Sequence, residues 1–397
     1  MNSQHLKSPN TARPELAALK VLVGGILGMV VAMGIGRFVF TPILPLMQRD
    51  LGMTNSVAGW LAGLNYLGYL LGAVICSILP VILRCRLLTG GSLLVSIATT
   101  LFMGATLSVP WWGLMRFAGG FASAVLFIVI TAEVGETLSR RGYGHWLGSL
   151  YGGVGLGIAV SGLVVPPLDE IGGWDAAWYG TGLLAALLAA AGVWLGRRRE
   201  LLEPITIDPR RKTVSLASVR LLALGYFFEG LGYIVTATFL VAIIALTPGL
   251  EDFAPYSWVA VGLAAVPTTI IWPWLGRRFG NRKALLAAYI LQTAGILVSI
   301  GAESVLAVLF AAVSFGGTFL GIVALTLTEG TLRLPGDGRR AAAFLTASFG
   351  VGQVLGPVFA GVLADLQEGF AVPLLLASVC VALAGLCVAM DRQFQGT

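Results

Sequence analysis

Long apolar runs, each about the length of a bilayer crossing and separated by short polar connections, constrain this chain more than any other feature. A spanning helix needs about 20 mostly apolar residues, and twelve such runs can be placed along the 397 residues. They lie near 20–47, 56–83, 87–107, 111–138, 145–166 and 176–196, then near 217–246, 255–276, 284–302, 304–330, 341–365 and 371–390. We number them spans 1 to 12. One connection stands out, from Arg197 to Ser215, with three consecutive arginines, two prolines and Arg210-Arg211-Lys212. The expected fold is an all-α polytopic membrane protein. Two six-helix bundles, residues 1–196 and 217–397, flank a cytoplasmic linker at 197–216. Composition agrees: 57% of residues are hydrophobic and 11% charged, against about 25% charged in soluble domains.

The net charge of +6 would point to a nucleic-acid partner only if the basic residues lined one soluble face. Their distribution says otherwise. With the N-terminus placed inside, twenty-two of the twenty-five Lys and Arg residues fall at inner connections or ends. The outer loops carry Asp50, Asp169, Glu170, Asp175, Glu251, Asp252, Glu303 and Glu368, with Arg49 as the lone outer base. This is the asymmetry that sets membrane orientation. It requires an even number of spans and both termini in the cytoplasm. The first twenty residues lack an apolar core and a small-residue cleavage site, so span 1 is expected to be its own insertion signal. The cysteines (Cys76, Cys85, Cys380, Cys387) show no C-x-x-C spacing, which implies neither a disulfide framework nor a metal site. His5 and His145 are far apart, and there is no acidic metal motif and no phosphate-binding loop of the G-x-x-x-x-G-K-S/T kind. No cofactor, metal or nucleotide is expected, which weighs against a membrane-embedded enzyme and an ATP-driven pump. A passive channel is the other alternative.

The halves repeat. Gly34-Ile35-Gly36-Arg37-Phe38 of span 1 corresponds to Gly230-Leu231-Gly232-Tyr233-Ile234 of span 7, Gly119-Gly120 to Gly316-Gly317, and Gly153, Gly157 and Gly162 to Gly352, Gly356 and Gly361. The near-constant offset across three span pairs indicates duplication. Two six-helix repeats suit a protein whose halves rock about a solute site at the membrane midplane.

Charges at membrane depth cost about 2.5–3.5 kcal/mol on insertion scales, and three residues incur that cost: Arg37 in span 1, Arg116 in span 4 and Glu229 in span 7. Two arginines suit a carboxylate or another anion through their forked donors; equally, Glu229 can neutralise one of them. Glu229 is the one acidic residue placed mid-membrane, hence the candidate to carry a coupling proton, with a permanent ion pair as the alternative. Asn65, Tyr66 and Tyr69 lie mid-span 2, with Asn65 and Tyr69 on one face. Solute hydrogen bonding and interhelical bonding are both open for them. Tyr233, at the repeat position of Arg37, and Phe38 beside it complete the candidate solute set. Glu136 and Arg140, four apart at the inner end of span 4, are echoed by Glu329 and Arg333 in span 10. With Arg278 they read as an inner gate, or as ordinary i, i+4 pairs. Trp272 and Trp274 are expected in an interfacial aromatic belt, and Pro42 and Pro45 are expected to kink or end span 1.

The residues also resemble a known group. The chain is similar to the major facilitator superfamily over nearly its whole length. Gly34-Ile35-Gly36-Arg37-Phe38, Thr41-Pro42, Leu44-Pro45-Leu46-Met47 and Asn65-Tyr66-Leu67-Gly68-Tyr69 resemble its bacterial YbfB/YjiJ-type branch. Arg116 with Gly120 resembles the Arg-x-x-Gln-Gly motif, with Gly119 at the glutamine position. Arg278-Phe279-Gly280-Asn281-Arg282-Lys283 resembles the Asp-Arg-x-Gly-Arg-Arg loop signature, with Arg277 where the acid would stand; Arg84-Cys85-Arg86 is too short to show it. Gly356-Pro357 and Gly361 resemble the glycine–proline motif of exporters, which belongs in span 5, where Ile158 replaces the proline. The resemblance implies a monomeric secondary transporter in the bacterial cytoplasmic membrane. It moves a small organic solute, with protons as the coupling ion, and spans 1, 4 and 7 line the cavity.

Overall fold

The computed structural model describes residues 12–79, 86–196, 215–334 and 337–396, and every regular element among them is helical. Most of the linker expected at 197–216, and Arg84 and Cys85, fall outside the described residues. Span 1 comprises Ala12–Met29, a π-helical stretch Val30–Ile35 and, after a turn, Phe40–Leu51. Spans 2, 3 and 4 are Asn55–Ile78, Arg86–Met103 and Val109–Arg140. Spans 5 and 6 share the stretch Leu147–Leu195, broken at Gly173, whose φ of 81° a side chain would disfavour. Span 7 is Arg220–Ala245; span 8 is Ala254–Ala265 plus Thr268–Phe279; spans 9 to 12 are Asn281–Ser299, Val305–Arg333, Gly338–Leu366 and Ala371–Met390.

Eight of these stretches are by themselves long and apolar enough to cross a membrane, and the pair forming span 8, bent by 44°, makes a ninth. The other three passes follow from local sequence. One long stretch holds both spans 5 and 6. Span 3 has a short apolar part, Leu88–Met103. Span 9 opens on the polar Asn281-Arg282-Lys283. Large apolar side chains project outward all round the molecule, Leu94, Leu187, Ile290 and Leu306 each at least 70% exposed. That pattern is costly in water and suited to hydrocarbon.

The duplication is visible in how the helices touch. A Cβ on Gly120 would collide with the carbonyl of Asn65, and one on Gly316 with the carbonyl of Val261. These are the same contact in the two halves, spans 4 on 2 and 10 on 8. Gly157 likewise lies against span 1 at Val30 and Gly34, as Gly356 lies against Leu231 and Ile234 of span 7. Small residues let helix backbones approach where lipid supplies no hydrophobic drive. The two halves meet along spans 2 and 11, spans 5 and 8, and the second part of span 1 with span 7. We call the face with Arg140, Arg220, Arg278 and Arg333 the basic face, and the other the acidic face.

Two expectations need correction. Pro42 and Pro45 do not end span 1. The interruption comes earlier, at 36–39, and the helix restarts at Phe40 with Pro42 in its first turn, where a missing N–H is harmless. The span then runs to Leu51 and closes on Gly52, left-handed at φ 64°. Nor is Trp272 a belt residue: it is 8% exposed and donates through Nε1 to the Gly317 carbonyl at 2.6 Å, while Trp274 is 49% exposed.

Candidate functional site

The site grows out of the interruption in span 1. In the π-helical stretch the Gly36 amide donates to the Val31 carbonyl at 2.9 Å and the Phe38 amide to Met33 at 3.0 Å, five residues back instead of four. Such bulges concentrate at functional positions. Gly34 lies against Gly157 and Gly36 near the hydroxyls of Ser96 and Ser123, so the glycines allow the chain to bend where neighbours are closest. The turn that follows sets Arg37 and Phe38 at the junction of the halves.

Arg37 is 4% exposed. Its guanidinium carbon lies 4.1 Å from the ring centroid of Tyr69, 4.6 Å from that of Tyr66 and 5.5 Å from that of Phe38. Its Nε and Nη2 atoms have no hydrogen-bond partner. Arg116, also 4% exposed, lies over Phe40 at 4.6 Å and donates from Nη2 to the Arg37 carbonyl, a long contact of 3.4 Å. Asn65 donates from Nδ2 to the Arg116 carbonyl at 2.8 Å. Arg116 therefore ties the interrupted segment to span 4 and Asn65 ties span 2 to span 4, while Asn65 Oδ1 has no hydrogen-bond partner, so its solute-bonding reading stays open beside the interhelical one.

Aromatic rings from the other half close over this cluster. Phe38 lies 6.4 Å from both Trp258 and Phe319. Tyr233 stacks on Phe349, Phe319 and Phe315 at 5.2, 6.1 and 6.2 Å, its hydroxyl accepting from Gln353 Nε2. Tyr233, the repeat counterpart of Arg37, reaches the Arg37–Phe38 turn through Phe319, which stacks on Tyr233 and lies beside Phe38. Thr41 Oγ1 donates to the Ala237 carbonyl at 2.7 Å, 196 residues along; that separation equals the repeat offset, so spans 1 and 7 cross on the pseudo-twofold.

Glu229 stands apart from the arginines. It is 1% exposed, Oε1 accepts from Gln292 Nε2 of span 9 at 3.1 Å, and Oε2 is unpartnered. No ion pair joins it to Arg37 or Arg116, so the expected sharing of an arginine between solute and Glu229 finds no direct contact here.

The two i, i+4 pairs differ sharply. Glu136–Arg140 is a 2.6 Å pair with side chains 38% and 36% exposed. Glu329–Arg333, at 2.8 Å, is 4–6% exposed and belongs to a network. Arg333 also meets Asp391 at 2.6 Å, the Ser218 carbonyl at 3.0 Å and the Phe394 ring, and Glu329 accepts from Asn281 at 2.9 Å. Arg278 is not bonded to this network; its guanidinium lies 5.6–5.7 Å from the rings of Trp274 and Phe279. On the acidic face Asp365 of span 11 accepts from the amides of Asn55 and Ser56 at 3.0 and 2.8 Å and from the Ser56 hydroxyl. The carboxylate thus caps the start of span 2 across the two halves. Gln292, Gln353, Asp391 and Asp365 escaped sequence reasoning, although the two glutamines, as polar residues inside apolar runs, were detectable.

Twelve helices in two repeated bundles, with buried charge where they cross, define a membrane transporter of the major facilitator superfamily. The chain belongs to the family described as the uncharacterised MFS-type transporter YbfB, whose model matches residues 29–389. It is 25% identical over 274 residues to the uncharacterised MFS-type transporter YceJ of Bacillus subtilis (strain 168), covering 66% of this chain and 68% of that protein. Among solved structures, a mutant of the nucleoside transporter NupG matches with a TM-score of 0.73 at 12% identity, over 95% of this chain and 99% of the other. A bacterial homolog of the human lysosomal transporter Spinster matches at 0.70 and 15% identity, over 97% and 98%. At such identities the likeness concerns the fold alone.

Proposed function

We propose that this transporter moves a small organic solute across the bacterial cytoplasmic membrane by alternating access, driven by protons, and that it works as a monomer with both termini and the basic face in the cytoplasm. The observation that carries the reading is Arg37: a buried guanidinium with unpartnered donors, walled by Tyr66, Tyr69 and Phe38, the last of which meets rings of the other half. A group so placed is exposed to one side or the other as the bundles, 1–196 and 217–397, rock about it. Arg37, Phe38, Asn65, Tyr66, Tyr69, Arg116 and Tyr233 form the solute site, and Arg116 also ties the interrupted segment to span 4. Glu229 carries the proton, and Tyr233, one turn along span 7 and stacked on Phe319 beside Phe38, is the route by which the two sites communicate. Asp365 seals the acidic side, while Glu136, Arg140, Arg278, Glu329 and Arg333 serve the basic-side gate.

The test is uptake by reconstituted vesicles, with and without an imposed pH gradient, of a solute first found by its stabilisation of the purified protein in a metabolite screen. Gradient-dependent accumulation is expected. Equal flux in both conditions would leave a facilitator or channel instead.

A further inference from the structure

We propose that the solute is an organic acid, its carboxylate held by Arg37 and its planar apolar body laid against the rings of Phe38, Phe319 and Tyr233. The proposal rests on the central site being the solute site and adds the chemical class.

The first argument is charge. Arg37 and Arg116 are both buried at the centre. The carboxylate that could neutralise either at that depth, Glu229, spends its hydrogen bond on Gln292 and leaves its second oxygen unpartnered. The buried acids of the basic face, Glu329 and Asp391, are engaged by Arg333. Positive charge at the centre is therefore uncompensated by the protein among the described residues. A buried charge without its counter-ion is strongly unfavourable. Ring faces beside Arg37 offset part of that cost but accept no hydrogen bond from Nε or Nη2.

The second argument is what the unpartnered groups ask for. Arg37 offers two free donors in a planar fork, and Arg116 adds a free Nε. A carboxylate matches such a fork in shape and charge. An amine would meet two guanidiniums, and the ring wall around it supplies no anion.

The third argument is the opposite wall. Phe315 and Phe319 lie within 8° of parallel, and Tyr233 lies within 19° of Phe315, Phe319 and Phe349. A set of near-parallel rings beside Phe38, itself next to the Arg37 cation, favours a flat apolar body over a polyol, whose hydroxyls would go unsatisfied there.

Binding can be read without a gradient, so its failure is distinct from a failure of proton coupling. The detergent-purified protein would be melted in the presence of benzoate, 2-naphthoate, hexanoate, benzamide and benzylamine. Benzoate or naphthoate is expected to raise the melting temperature saturably and hexanoate to do so more weakly, with benzamide and benzylamine inert. Arg37→Gln should weaken the aromatic acid at least tenfold, and Phe319→Leu should reduce its advantage over hexanoate. The proposal falls if no acid stabilises the protein, if the amide or the amine does so equally, or if the acid effect survives Arg37→Gln. Should Arg37→Gln not fold, the comparison of benzoate with benzamide on the native chain decides alone.

Discussion

At the scale of single residues, Arg37 is where sequence and structure agree most closely. A cation deep in an apolar run is conspicuous because insertion penalises it, and the structure places it between the halves with donors to spare. Arg37→Ala is expected to leave membrane insertion intact and to lower vesicle uptake by at least about 100-fold, the range of a lost charged contact in a dry site. Arg37→Lys should recover little, since lysine keeps the charge but loses the fork and the ring stacking. Uptake near the wild-type rate in the alanine variant would remove Arg37 from the site. What the sequence concealed at this scale was partnership. An apolar run shows that Glu229 is buried, but not whether it faces Arg37 or Gln292, because that depends on helix rotation within the bundle. Asn65 was equally undecidable: only the approach of span 4, close enough that Gly120 admits no Cβ, turns its amide to a backbone carbonyl.

At the scale of elements, the number and order of the spans were legible and their interruptions were not. Hydropathy sums over about 19 residues and passes smoothly through 30–39, where the backbone changes from α to π and then turns. Prolines 42 and 45 drew attention to the wrong turn of span 1. The glycine correspondences, by contrast, foretold real contacts, since a helix crossing that excludes a Cβ must recur wherever the duplicated helices cross. Two elements lend themselves to test. Asp365→Ala removes the acceptor for the start of span 2 and should loosen the acidic-side seal. A cysteine at Ser161, which receives the Trp258 Nε1 bond, should then react several-fold faster with an impermeant maleimide, the native cysteines having been replaced. An unchanged rate would mean that Asp365 is no latch. On the basic face, Arg333→Ala strands Glu329 and Asp391 in a buried network. A loss of about 3–5 kcal/mol is expected, read as a lower melting temperature, against less than about 1 kcal/mol for disrupting the exposed Glu136–Arg140 pair.

For the whole molecule, orientation and coupling are the properties to settle. Reporters fused after Arg199 and at the C-terminus should read cytoplasmic, and one inserted near Glu170 periplasmic, because the basic connections are retained inside. A periplasmic C-terminus would sink the topology. The proposed coupling turns on Glu229. It sits on span 7, the helix whose partner in the repeat carries Arg37, and it packs into the second bundle against Gln292 of span 9 while Tyr233, one turn along, stacks on Phe319 beside Phe38. A proton taken up on Glu229 would cancel its charge and alter what Gln292 can bond. Tyr233 stacks on Phe319 and Phe349 of spans 10 and 11, and Phe319 in turn lies beside Phe38 of span 1, so a change at Tyr233 would reach the junction of the halves. Glu229→Gln fixes the neutral state. If Glu229 carries the proton, this variant should fold, bind solute and exchange it between the two sides of a vesicle at a rate within a few-fold of the native protein, yet fail to accumulate it on a pH gradient. Uphill transport by Glu229→Gln would move the proton to another group. Failure to fold would make the Glu229–Gln292 bond a structural tie between spans 7 and 9. Exchange without accumulation is the outcome that separates coupling from both.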